Sequence, residues 1–244
     1  VAMMRSGAKL MSYLALARVL DRCRDEDWAL GIIGDAIAAI RVRFPQRDVQ
    51  IVYTDPPRNN YNAIFQMVHG LTGQSSYLDR FDNVQVLASA TSFYEPILPN
   101  GVLDLGFSAT AMHWLSASPG QLETHTHVLA SGDEEALERF TTQAMKDWTF
   151  ILELRSRELK VGGRLLTVNL SRDGEGRYLG HNGGETRNVH DQLHQIWRGM
   201  ADEGLISEEQ YKKGTVLNFY KSPEEFMAPL KDTSSAPYRN GLRL

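Results

Sequence analysis

Side chains able to do chemistry gather at a few turning points of this sequence. Asp55 stands at the end of the run VQIVYT and directly before Pro56-Pro57. Proline removes backbone donors, so the run must stop there and leave the carboxylate at its carboxyl end. In open α/β sheets that position commonly accepts hydrogen bonds from ribose hydroxyls, although an aspartate before two prolines can equally begin a turn. Ser92-Phe93 follows the next apolar run, where a hydroxyl and a ring can hold a heterocycle or the ring can simply fill core. FSATAMHWLS places His113 beside Trp114, and two ring N–H groups at a strand end can grip an anionic oxygen or serve packing alone. His125 and His127 alternate in the polar stretch ETHTHVLASGDEE without a third ligand of matching spacing, His181 is isolated, and His190 and His194 are four apart. These read as polar residues of the surrounding elements, and no metal site is expected. No GxSxG, P-loop or HExxH occurs, which argues against those hydrolase and nucleotidase classes, and no GxGxxG precedes Asp55, which argues against a nicotinamide dehydrogenase.

Such residues need a frame, and the spacing predicts one. A helix is expected over Ile33 to Val42, stopping by Phe44 before Pro45; strands over Val49 to Thr54, Val84 to Ser89 and Val102 to Ser108; and a helix over Asn62 to His69 between the first two. Strands separated by helices give a parallel α/β sheet. Phe140 to Leu159 is a long amphipathic helix, with Gly162-Gly163 expected to close it before a strand at Arg164 to Asn169. Ser171 to Thr186, poor in apolar residues, reads as a mobile loop. Helices follow at Val189 to Glu203, stopped by Gly204, and after Ser222, an N-cap with Glu225 in capping-box position. The fold class is therefore α/β, a Rossmann-like sheet with helices on both faces and a mostly helical cap. The division is residues 1–170 for the sheet region and 171–244 for the cap.

With 244 residues, 42% of them hydrophobic, the chain can bury a sizeable core. A net charge of −4 leaves no broad basic surface, so nucleic acid is not an expected partner. Cys23 is the single cysteine, which forbids an intrachain disulfide and suits a reducing compartment. The stretch Trp28 to Ile40 is too short and too polar to cross a bilayer, no export signal is read at the start, and cytoplasmic residence is the expectation.

Several motifs together resemble the SABATH methyltransferases. YTDPPRNNYNAIF (Tyr53 to Phe65) is similar to that family's strand-Asp-Leu-Pro element, SFYEPILP (Ser92 to Pro99) to its Ser-Phe-Tyr element, and SATAMHWLS to its His-Trp-Leu-Ser loop; DWTFILELRSRELKVGGRLL and GMADEGLISEEQYKKGTVLNFYKSPEE resemble its later helices. The resemblance implies an S-adenosylmethionine-dependent enzyme that leaves S-adenosylhomocysteine and methylates a small-molecule carboxylic acid; no membrane partner is expected, and a homodimer is the assembly considered. N-methylation of a small heterocycle is the alternative chemistry, and a non-catalytic binding protein on the same fold is a third reading. Asp55 and Pro56 would meet the cofactor ribose and Ser92 and Phe93 its adenine. Trp114 would donate to the substrate carboxylate, His113 would line the same pocket, and His190 and Tyr220 would fall near its aromatic wall. A carboxylate of ordinary pKa near ~4 is ionised at neutral pH, so no general base is required and no catalytic side chain is expected beyond the positioning pair. Alignment of reacting atoms at ~3 to 3.5 Å can supply ~7 to 11 kcal/mol of the barrier.

The chain departs from the family pattern in two places. The glycine turn of the family's first strand is not reproduced between Cys23 and Ile33, and loss of that strand would leave a gap in the sheet. The family's opening Tyr-x-x-Asn-Ser-x-x-Gln segment is likewise replaced by MRSG (Met4 to Gly7), and the sequence stops soon after Asn240-Gly241-Leu242.

Overall fold

The structure is a computed structural model and describes residues 2–5, 28–179 and 188–244. Cys23, Ser6-Gly7 and His181 lie outside the described residues, as does the end of the expected loop. The elements run β1 (Ala2–Arg5), α1 (Trp28–Arg43), β2 (Val49–Asp55), α2 (Tyr61–Val68), β3 (Val84–Ala90), β4 (Leu103–Ala109), α3 (Glu134–Glu158), β5 (Leu159–Val168), α4 (Val189–Asp202), α5 (Glu208–Lys213), α6 (Pro223–Lys231) and α7 (Ala236–Arg239). One five-stranded sheet has the order β3-β2-β1-β4-β5. The chain divides into two compact units, Val1–Phe107 with Arg157–Leu166, and Ser108–Ser156 with Thr167–Leu244.

In the first unit, β2 and β3 pair in parallel from Val49↔Val84 to Asp55↔Ala90, with α2 as their crossover. The buried positions of β2 meet α1 and α2 in a core of Ile33, Ile37, Ile40, Val49, Ile51 and Val68. Two expectations change here. The strand missing from the family pattern leaves no gap, because β1 fills the place between β2 and β4 and pairs antiparallel with both, Ala2 lying opposite Tyr53 on one side and Phe107 on the other. Nor are all strands separated by helices, since β3 passes to β4 through residues 91–102 without one. Gly31 and Gly34 belong to the body of α1 and form no turn.

The glycine pair after α3 also behaves differently from expectation. β5 begins at Leu159, directly after the helix, and carries both glycines within it. A Cβ on Gly163 would meet the carbonyl oxygens of Leu103 and Lys160 at 2.9 Å, so the glycine serves close backbone approach to β4 and is not a helix cap.

In the second unit, α3 starts six residues before the expected Phe140, because Asp133 caps it through Ala136 N–H (2.9 Å) and Glu134 and Glu135 occupy its first turn. Its apolar stripe, Ala136, Phe140 and Ala144, packs with Leu122, Val128 and Phe219. The capping box at Ser222 and Glu225 forms as read from sequence, and a second one, Asn188 with Asp191, starts α4. The described part of the expected mobile loop is tied down. Asp173 accepts from the backbone of Glu175 and Arg177, and Ser171 Oγ donates to the Lys221 carbonyl at 2.8 Å.

Candidate functional site

Each unit carries one group of candidate residues. In the first, Asp55 is the last residue of β2 and Ser92-Phe93 follows β3, so parallel pairing brings both to the same carboxyl edge. Tyr61, at the start of α2, fastens that edge: its hydroxyl shares its one proton between the carbonyls of Asp55 (2.5 Å) and Ser89 (3.1 Å) and accepts from Asp55 N–H (3.0 Å). Thr54 Oγ1 donates to the Thr91 carbonyl at 2.9 Å. The Asp55 main chain is thereby fixed while its carboxylate is committed to no hydrogen bond among the described residues. Pro56 is exposed beside it. Ser92 Oγ accepts from Tyr94 N–H (3.2 Å), and Phe93 rests partly on Val52, Ile97 and Leu103, so this ring serves the core as well as the edge.

These features suit the ribose and adenine of a nucleoside cofactor: a free carboxylate for vicinal hydroxyls, with a hydroxyl and a half-buried ring nearby. A glycine turn of the kind that wraps a methionine tail is not found among the described residues of the Cys23 to Ile33 stretch, which from Trp28 onward are helical.

The second group is held by strand-like pairing of two loop segments. Phe219 N–H donates to the His113 carbonyl (2.9 Å), Leu115 N–H to the Leu217 carbonyl (2.9 Å), and Trp114 bridges to Asn218. His113 and Tyr220 are thus brought side by side, with ring centroids 5.5 Å apart. The indole of Trp114 is 50% exposed, tilted at 5.5 Å from the buried His113 ring. Asp147 of α3 secures the far side of the turn, accepting from Ser116 N–H (2.8 Å) and Ser116 Oγ (2.6 Å).

His190 arrives from the first turn of α4 and stacks on His127 at 3.9 Å; one turn later His194 lies 4.1 Å from His125. The two histidine pairs whose spacing looked incidental therefore interleave. A directed chain of hydrogen bonds runs through the stack. Leu129 N–H donates to His127 Nδ1 (3.3 Å), which leaves the His127 proton on Nε2, donating to Asn218 Oδ1 (2.8 Å). Asn218 Nδ2 donates to the Tyr220 hydroxyl (3.2 Å), which donates in turn to His190 Nε2 (3.0 Å). The His190 proton then sits on Nδ1. That nitrogen and Nδ1 of His113 are buried and without hydrogen-bond partners among the described residues. A buried polar group left unpaired costs ~1 to 3 kcal/mol, and a ligand acceptor or donor relieves it.

Burial sets the charge of these rings. It lowers the His113 pKa to about 4, helped by the Lys221 ammonium and His190, and that of His127 to about 3, helped by His190 and opposed by the Asn218 bond. Burial lowers His125, His190 and His194 as well, against the pull of Asp191. All five are neutral at pH 7 and act through oriented N–H groups and lone pairs.

Trp114, His113, His190 and Tyr220 thus share one unit, His190 and Tyr220 within the hydrogen-bond series and His113 and Trp114 in ring contact beside it, while Asp55, Pro56, Ser92 and Phe93 share the other. Reading by sequence overlooked Tyr61, Asn218 and Lys221. All three stood inside quoted motifs, but neither spacing nor residue type revealed their long-range partners.

Comparison with known proteins adds to this geometry. Residues 29–235 match the family described as SAM dependent carboxyl methyltransferase. Gibberellic acid methyltransferase 2 of Arabidopsis thaliana is 26% identical over 193 residues, covering 74% of this chain and 48% of that protein. Salicylate carboxymethyltransferase of Clarkia breweri is 26% identical over 187 residues, covering 75% and 49% respectively. The chain spans about half the length of the curated relatives it matches. Among solved structures, loganic acid methyltransferase with SAH superposes with a TM-score of 0.62 at 18% identity over 82% of this chain and 56% of that one, a likeness of fold.

Proposed function

The chain belongs to the SAM dependent carboxyl methyltransferase family, and on that premise we propose that it forms the methyl ester of a small organic acid. The observation that carries the reading is His113: a neutral, buried ring whose Nδ1 has no hydrogen-bond partner among the described residues, beside the half-exposed Trp114 indole. Ring N–H groups hold a carboxylate oxygen by direction and not by a contact ion pair, so the bound oxygen keeps electron density for reaction.

When bound, S-adenosylmethionine supplies an electrophilic methyl group. Asp55 would accept from its ribose hydroxyls beside Pro56, and Ser92 and Phe93 would meet its adenine. Trp114 and His113 orient the acid, and His190 and Tyr220 form a polar wall behind it. No residue needs to remove a proton, because an ordinary carboxyl group is already ionised at neutral pH. We assign residues 1–170 to cofactor binding and 171–244 to the cap, with the His113-Trp114 turn serving the substrate. The proposal includes a cytoplasmic homodimer with no nucleic-acid or membrane partner, supported by the net charge of −4 and the single cysteine. No helix among the described residues is long and apolar enough to cross a membrane.

The test is Trp114→Phe, which keeps most of the apolar area and removes the N–H. Loss of one hydrogen bond to a charged partner lowers kcat/KM for the acid roughly 10- to 150-fold with cofactor affinity unchanged. Methyl-ester formation from gibberellic, salicylic, benzoic and anthranilic acids is measured alongside a thermal melt. A mutant that melts lower yet esterifies at the wild-type rate refutes this site.

A further inference from the structure

Lys221 follows Tyr220, and its side chain is among the most deeply buried in the chain, 1% exposed. A buried ammonium is unfavourable unless acceptors or opposite charges surround it. Here the Nζ has one acceptor among the described residues, the Met112 carbonyl, and at 3.5 Å this bond is at the limit of length. Two aromatic rings also stand near it. Nζ lies 5.9 Å from the Trp148 ring centroid and 5.5 Å from that of Phe226, and those rings meet edge to face at 5.3 Å with Trp148 Nε1 donating to the Phe226 carbonyl.

The charged groups that face it are engaged elsewhere. Asp147 of α3 accepts from Ser116 and from Gln143 Nε2. Glu225 of α6 is paired with Arg172 at 2.5 Å and accepts from Ser222 N–H. Both carboxylates raise the Lys221 pKa, yet burial prevails and lowers it to about 8. The carbonyl that Lys221 holds belongs to the residue before His113, and the ammonium is one of the causes that keep the His113 ring neutral.

We propose that Lys221 is a positioning residue for the anionic substrate: a buried cation that anchors the Met112-His113-Trp114 turn by its carbonyl and biases the turn towards a carboxylate without touching it. The inference rests on the carboxylate reading given above. It predicts a preference for an ionised acid over a neutral heterocycle, to which a buried cation offers no charge attraction. Lysine is charged below its pKa, so acid binding is strong at neutral pH and weakens as pH rises through about 8.

The test compares Lys221→Met, of similar length without charge, and Lys221→Arg with the wild type, using the best of the four acids named above from pH 6.5 to 9.5. At pH 7 Lys221→Met is expected to raise KM roughly tenfold with kcat nearly unchanged. Its KM profile no longer rises above pH 8, whereas Lys221→Arg binds tightly across the range. Nuclear magnetic resonance titration of His113, which needs no turnover, moves up in Lys221→Met and stays low in Lys221→Arg. If the acids are esterified with equal KM in wild type and Lys221→Met at every pH, the carboxylate reading stands and the role of Lys221 falls. If no acid is taken, the carboxylate reading fails, and an unchanged His113 titration in Lys221→Met overturns the electrostatic role by itself. Should Lys221→Met not fold, the wild type and Lys221→Arg decide: KM curves that coincide above pH 8 overturn the inference.

Discussion

The carboxyl edge of β2 and β3 and the ring stack around His190 are built on opposite principles. The first is fixed by main-chain pairing, with Tyr61 and Thr54 clasping carbonyl groups and an aliphatic core beneath. The Asp55 carboxylate, which has no hydrogen bond among the described residues, projects from a frame that many sequences could form. The second is fixed by side chains that bond one another: His127, Asn218, Tyr220 and His190 in a single directed series, with the buried Asp147 and Lys221 flanking the turn that carries His113 and Trp114. A frame of backbone bonds tolerates exchange of side chains and suits a ligand common to a whole family. A frame of side-chain bonds fixes tautomers and polarity, and small changes in it alter which ligand fits.

Mutation can break that contrast from the ring-stack side. Asn218→Leu removes the acceptor of His127 Nε2–H, orphaning a buried donor at ~1 to 3 kcal/mol, while the Tyr220 hydroxyl loses one donor and keeps its bond to His190. Stability to urea is expected to fall by about 1 to 3 kcal/mol, together with loss of acid binding. If the variant is as stable as wild type, the series is ornamental.

Asp55→Ala tests the other side. Affinity for S-adenosylhomocysteine by calorimetry should drop by ~1.5 to 3 kcal/mol while the melting temperature stays where it was, because the backbone clasp remains. A folded variant with undiminished affinity removes Asp55 from the cofactor site.

Acid sharpens the comparison with the smallest step. The five histidines have folded pKa values below the ordinary value of 6.5, so between that value and about 4 the unfolded chain binds protons that the folded chain refuses. Stability present above pH 6.5 is therefore lost progressively as pH falls. Melting temperatures recorded at half-unit intervals from pH 7 to 4.5 should decline steadily, with near-ultraviolet circular dichroism of the stacked rings changing in parallel; a flat profile over that range contradicts neutral burial.

The sequence alone determined the local elements and the positions where chemistry could occur. The VQIVYT run stops at Asp55 because prolines forbid continuation, and Ser222 with Glu225 caps α6 because both partners lie within one turn. The paired His113 and Trp114 were legible from residue type and from the family motif. Tertiary structure decided the rest. β1 enters the sheet between strands that begin some fifty and one hundred residues later, and nothing in AMMR specifies which edges it will meet. Gly162-Gly163 looks like a helix stop until the approach of the Leu103 carbonyl shows why β5 needs a residue without Cβ there. His127 and Asn218 are 91 positions apart, and Lys221 meets Met112 across 109. Capping and periodicity act over three or four residues and leave a mark in the sequence. A hydrogen bond between distant side chains leaves none, because its partners become neighbours only after the intervening chain has folded.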